Sequence, residues 1–123
     1  MKNQLYTGII FLVALLPFTG CYYDKEELLY PDSACDTTAV AYSTSVIPIL
    51  SASCYSCHAG TVPSGGIRLD NHASVTVYAG NGKLMGAITH SPGYSAMPKN
   101  SGKLSNCKIN IIRKWIDDGA PNN

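Results

Sequence analysis

The sequence predicts an all-α fold, and three stretches carry that prediction. The first runs over about 46–56. Val46, Ile47, Ile49 and Leu50 supply apolar content, no glycine intervenes before Cys54, and Pro48 sits in a first turn that does not need its N–H. Ser45 is placed to cap it. The second runs over about 106–118, capped by Ser105 and stopped by Gly119 and Pro121. On a helical wheel Ile109, Ile111, Ile112, Trp115 and Ile116 fall on one broad face, with Asn110, Arg113, Lys114, Asp117 and Asp118 on the other, so this helix packs on a core. The third stretch lies between them. Asn71 is placed to cap a short helix over 72–79, against the β-branched Val75, Thr76 and Val77, and Lys83-Leu84-Met85 opens another over 83–89. Leu69, Val75, Leu84, Met85 and Ile88 are read as packing residues. Gly60, Pro63, Ser64, Gly65 and Gly66 mark a loop.

Ahead of the helices the chain has a different character. Lys2 is the only charge before Asp24, Leu5 to Phe18 is an apolar run broken by Pro17, and Thr19-Gly20-Cys21 follows. This is the layout of a secretory signal. The run is too short for a membrane-spanning helix of about 20 residues. Its end resembles the lipobox of bacterial lipoproteins, with Phe18 where that motif usually has Leu, and that likeness makes Cys21 the lipid-bearing N-terminus after cleavage. The expected organisation is a signal peptide over 1–20, a lipidated acidic tether over 21–36 and one folded domain over 37–123. Removal of residues 1–20 leaves 103 of the 123 residues, a size at which a hydrophobic core alone is marginal.

Charge separates tether from domain. Residues 22–36 hold Asp24, Glu26, Glu27, Asp32 and Asp36 against Lys25, a net −4, and read as a solvated linker. Asp24-Lys25-Glu26-Glu27 also resembles the acidic export signals of surface-displayed lipoproteins. From residue 37 onward seven cations (Arg68, Lys83, Lys99, Lys103, Lys108, Arg113, Lys114) face three acids (Asp70, Asp117, Asp118), a net +4. Lys99 and Lys103 flank the turn-rich stretch around Met97, where a basic rim would steer acidic partners, although ordinary solvated lysines read the same way. Nothing in this pattern supports nucleic acid binding.

Cys54-Tyr55-Ser56-Cys57-His58 carries the chemistry. Residues i and i+3 of a helical turn lie on one side, so both thiols can reach the vinyl groups on one porphyrin edge and form thioethers. His58 is then held under the iron as the proximal ligand. The spacing reads as an attachment site for a single covalent haem c. Export agrees with it, because this attachment occurs outside the bacterial cytoplasm. The competing reading makes Cys54, Cys57 and His58 structural zinc ligands. A haem-bound His58 needs an acceptor for its other ring N–H, and a backbone carbonyl of the 59–64 loop is the expected one. Of five cysteines, Cys35 and Cys107 remain, an even pair in an oxidising compartment. A disulfide is the favoured reading; two free thiols or extra metal ligands are the others.

Met97-Pro98 lies in the polar stretch Ser91-Pro92-Gly93-Tyr94-Ser95-Ala96-Met97-Pro98-Lys99-Asn100, with no apolar period around it. A thioether on a proline-stiffened loop suits the distal side of a haem iron. A gap-filling methionine, His90 or His72 as ligand, and an open or water-bound site are the alternatives. No general base, nucleophile or paired carboxylates accompany the motif, so no enzymatic site is expected.

The order of signal and lipobox, tether, helix ending in Cys54-Tyr55-Ser56-Cys57-His58, loop with Met97-Pro98 and amphipathic last helix resembles small monohaem c-type cytochrome lipoproteins with a class I-like cytochrome c domain. The likeness spans nearly all of residues 35–123. It implies an all-α cytochrome c-like domain around one covalent haem, the first and last helices crossing beside it. Cys54 and Cys57 would bind the haem, and His58 and Met97 would ligate iron. The implied function is transfer of single electrons between redox partners such as a dehydrogenase, an oxidase or another cytochrome, at a bacterial membrane facing the periplasm or at the cell surface. A haem sensor or small peroxidase with an open distal site, and a zinc- or disulfide-stabilised surface lipoprotein, are the rival expectations.

Overall fold

The computed structural model describes residues 35–123. The expected signal over 1–20, the lipid site at Cys21 and the tether up to residue 34 lie outside the described residues. Within them every regular element is helical and no strand occurs.

The first helix does not begin at a Ser45 cap. It opens as a π turn over Tyr42–Val46 that leads directly into α1, Ile47–Ser53. Val46 N–H reaches the Ala41 carbonyl at 3.3 Å and Ile47 N–H bonds Tyr42 O, each five residues back. This wide turn gives the Pro48 ring room and makes no use of an N–H that Pro48 lacks. Ser45 lies inside it, its Oγ accepting the Ala41 N–H at 3.2 Å. The cap comes from the far end of the chain: Asn123 Oδ1 accepts Tyr42 N–H at 2.8 Å and Asn123 O accepts Ser43 N–H at 2.9 Å. Those donors belong to the orphan N–H groups that every helix start must satisfy.

α1 ends at Ser53, three residues before the expected region closes, because Cys54 turns out at φ −127°. The helical course resumes as α2, Tyr55–His58. A 3₁₀ turn at Ser64–Gly66 lies in the glycine-rich loop. α3 covers His72–Gly80, with Asn71 Oδ1 accepting Ser74 N–H at 2.9 Å as the expected cap. Its β-branched residues are tolerated because Val75 is fully buried and Ala79 nearly so, and packing outweighs a propensity deficit of a few tenths of a kcal/mol per residue. α4 covers Lys83–Ile88, and α5 covers Asn106–Asp117 behind the Ser105 cap. α5 closes as expected at Gly119 (φ 91°), where Ala120 N–H reaches back to Trp115 O at 2.9 Å.

The core forms where these pieces meet. Ile109, Ile112 and Trp115 are buried along one side of α5 and join Val46, Leu50, Val75, Leu84 and Ile88. Trp115 stacks on Tyr42 with ring centroids 5.2 Å apart, and the His72 ring stands edge-on to Tyr42 at 4.8 Å. Trp115 Nε1–H donates to Pro121 O at 2.9 Å, so the buried indole keeps its polar atom satisfied and pins the C-terminal segment. His72 has a structural task here: its Nε2 bonds Ala120 O at 2.9 Å.

The Cys35 and Cys107 sulfurs stand 2.08 Å apart, the separation of a disulfide, across 72 residues of chain. This ties the leading segment to the first turn of α5. A loop of that length contributes roughly 4 kcal/mol in the chain-entropy account. Peptide mapping without reductant should therefore find the linked peptides, and Cys35→Ser should lower the denaturant midpoint by a corresponding amount. Alkylation of both thiols in native, unreduced protein would contradict it.

Candidate functional site

Cys54 N–H still bonds Leu50 O at 2.8 Å, and Cys57 and His58 N–H both return to Cys54 O, at 3.1 and 2.9 Å. Residues 54–58 thus form one helical turn despite the break in φ, and the i, i+3 relation of the two thiols holds. Cys54 is half-buried, Cys57 is exposed and His58 is 8% exposed. All three line one cleft of about 690 Å³, within the roughly 300–1,000 Å³ of pockets that hold cofactors. Ile67, Leu69, Tyr78, Leu84, Ala87 and Ile88 give it mainly apolar walls. Met97 and Pro98 line the same cleft from a separate segment, joined by a cis peptide bond.

His58 is held by its ring and its backbone together. Its Nδ1 lies 3.0 Å from Ile67 O, and its carbonyl accepts Leu69 N–H at 2.7 Å. A carbonyl only accepts, so Nδ1 carries the proton and Nε2 of the neutral ring keeps its lone pair for a metal. The expected acceptor in the 59–64 loop is corrected to Ile67. The reason is the short return of the chain after the 3₁₀ turn, which brings 67–69 alongside His58.

An Arg68–Asp70 pair secures that return. Asp70 accepts from the Arg68 guanidinium and, at 2.9 Å, from Gly60 N–H. The Arg68 hydrogen bond, then the Gly60 N–H, hold the Asp70 carboxyl down at about 2, from an ordinary 3.8. A depressed folded pKa contributes stability above the unfolded value, and that contribution is lost as pH falls. Asp70 should therefore cost the fold stability between about pH 4 and pH 2. Asp70→Asn should flatten this acid limb in thermal unfolding measured across that range; an unchanged slope would remove the clamp from the account. Sequence reading passed over this clamp, whose only signal was the Arg68-x-Asp70 spacing.

Burial pushes the Cys54 thiol up to about 11. It stays protonated, unlike the thiolates that redox and nucleophilic cysteines require. Among the described residues no three His, Cys, Asp or Glu side chains converge to hold a metal ion. A haem asks for a different donor set, one imidazole nitrogen and two thiols outside the coordination sphere, and the cleft presents that set.

The remaining candidates separate cleanly. His72 and His90 do not line the cleft. His72 bonds Ala120 O, and the exposed His90 turns its Nε2 to Met97 O at 3.1 Å. Lys83 and Lys99 line the cleft, no acidic residue does, and neither lysine is in an ion pair among the described residues. Lys83 was not singled out in the sequence because a helix-opening lysine looks like any solvated charge. Lys103 is exposed and outside the cleft lining. A second depression of about 250 Å³ near Cys35 and Arg113 is shallow and polar and holds none of the motif residues. No described helix is long and apolar enough to cross a membrane. Set against protein-family models, curated proteins and solved structures, the chain matches none.

Proposed function

We propose that this chain is a monohaem c-type cytochrome that carries single electrons between redox proteins, exported and held at a bacterial membrane by lipid on Cys21. The observation that carries the proposal is the convergence of Cys54, Cys57, His58 and Met97 on one apolar cleft. Cys54 and Cys57 hold the haem through thioethers, and His58 and Met97 ligate its iron. When bound, the haem supplies one-electron cycling between ferric and ferrous iron.

The chain's own residues set the conditions for that cycling. Ile67 O, bonded to the Nδ1 proton, orients the imidazole and raises the basicity of Nε2. The apolar walls and a thioether ligand both favour the less charged ferrous state. Lys83 and Lys99, both lining the cleft, would offset the negative charge of haem propionates. Cys57, which would carry one thioether, is itself exposed, so a haem held there would be open to a dehydrogenase, an oxidase or another cytochrome. No enzymatic activity is assigned to the chain.

The deciding experiment is the spectrum of the reduced protein with and without carbon monoxide. A six-coordinate, low-spin haem that binds carbon monoxide poorly is the expected result. Ready binding would favour a sensor or small peroxidase. A colourless zinc protein would favour the structural lipoprotein.

A further inference from the structure

α4 carries a glycine, Gly86, that its helical conformation does not require. Glycine inside a helix costs about 1 kcal/mol against alanine, so a reason is needed. The reason lies in the loop that follows. The Tyr94 ring rests directly on the Gly86 backbone: a Cβ at 86 would stand 2.5, 2.5 and 2.6 Å from three ring carbons. No ordinary side chain fits there. The nearest ring atoms would have to retreat by roughly 1 Å to reach the 3.4 Å of ordinary contact.

Tyr94 is three residues before Met97, and the loop between them hangs on the end of α4. Ser91 N–H bonds Gly86 O at 2.9 Å, Tyr94 N–H bonds Ser91 O at 3.2 Å, and Met97 N–H bonds Ala87 O at 3.1 Å. Tyr94 and Met97 both line the cleft. The ring on Gly86 and the amide on Ala87 therefore fix the two ends of one short span.

We propose that the seating of Tyr94 on Gly86 positions the Met97 thioether for iron and keeps the distal side of the haem closed. This rests on the haem reading above. Tyr94 and Gly86 are positioning residues. They act through the loop, and the ring face does the work, since the Tyr94 hydroxyl has no hydrogen-bond partner among the described residues. The exposed bond between His90 and Met97 O adds a third tie that solvent competes for.

The test uses the full-length haem-loaded protein and two readouts, the sulfur-to-iron charge-transfer band of the ferric form and carbon monoxide binding by the ferrous form. Gly86→Ala forces the ring away, and Tyr94→Ala removes it without touching α4. Each should weaken the band and tighten carbon monoxide binding on the order of tenfold, the equivalent of a mild packing defect. Tyr94→Phe keeps the ring face and should behave as wild type. Met97→Ala is run beside them. If Met97→Ala itself leaves both readouts unchanged, the distal-ligand reading falls. If Met97→Ala opens the site while Tyr94→Ala does not, the positioning role alone is overturned. A Tyr94→Phe protein that behaves like Tyr94→Ala would move the role to the hydroxyl and overturn it too.

Discussion

Replacing Cys54 and Cys57 together by serine should abolish acid-stable haem, leaving a protein whose mass matches the bare polypeptide. Wild type should instead show one added haem that survives denaturation and acid–acetone extraction. The expectation rests on both thiols lying on one helical turn and lining the same cleft. Serine keeps the volume and the turn but forms no thioether. The double variant should also unfold more easily, because a bound haem would add apolar faces to a core that is marginal at this size. His58→Ala is the complementary test. It keeps both thioethers and should lose the low-spin spectrum while the haem remains attached. Haem that extracts from wild type, or a zinc adduct in its place, would end the haem reading.

Much of the scaffold around this turn was legible locally. Asn71 and Ser105 cap the helices they were expected to cap, and Ile109, Ile112 and Trp115 point inward at the expected period. These are signals that act within four residues. What the sequence hid depends on contacts at long separation. The start of the first helix could not be placed because its cap is Asn123, 81 positions away from Tyr42. Ser45, a good cap by type, lies instead inside the π turn that leads into α1, its Oγ accepting the Ala41 N–H. The partner of His58 was missed by three residues for a similar reason, since the fold of the glycine-rich loop decides which carbonyl comes back to the ring. His90 shows the opposite case. A histidine near a metal motif invites a ligand role, yet its positive φ of 57° ends α4 and sends the ring to Met97 O on the surface.

Met97→Ala should abolish the methionine–iron charge-transfer band, lower the reduction potential and allow ready carbon monoxide binding. The loop delivers Met97 to the cleft by fixed points, with its amide on Ala87 O and Pro98 immediately after it. A bonded sulfur must leave before carbon monoxide enters, so removing it removes that barrier. The potential falls because a thioether favours ferrous iron. Loss of a hundredfold preference would be a drop of about 120 mV, at about 59 mV per tenfold for a one-electron couple. His72→Ala should leave the iron spectrum as it is, because His72 serves the Tyr42–Trp115 cluster and Ala120 O. His90→Ala should keep the band, because its ring does not line the cleft. If His90→Ala instead loses the band and Met97→Ala keeps a low-spin spectrum, the iron has two histidine ligands. That outcome would mean the loop swings His90 inward when haem is bound, at the expense of the bonds that now hold Met97 on α4.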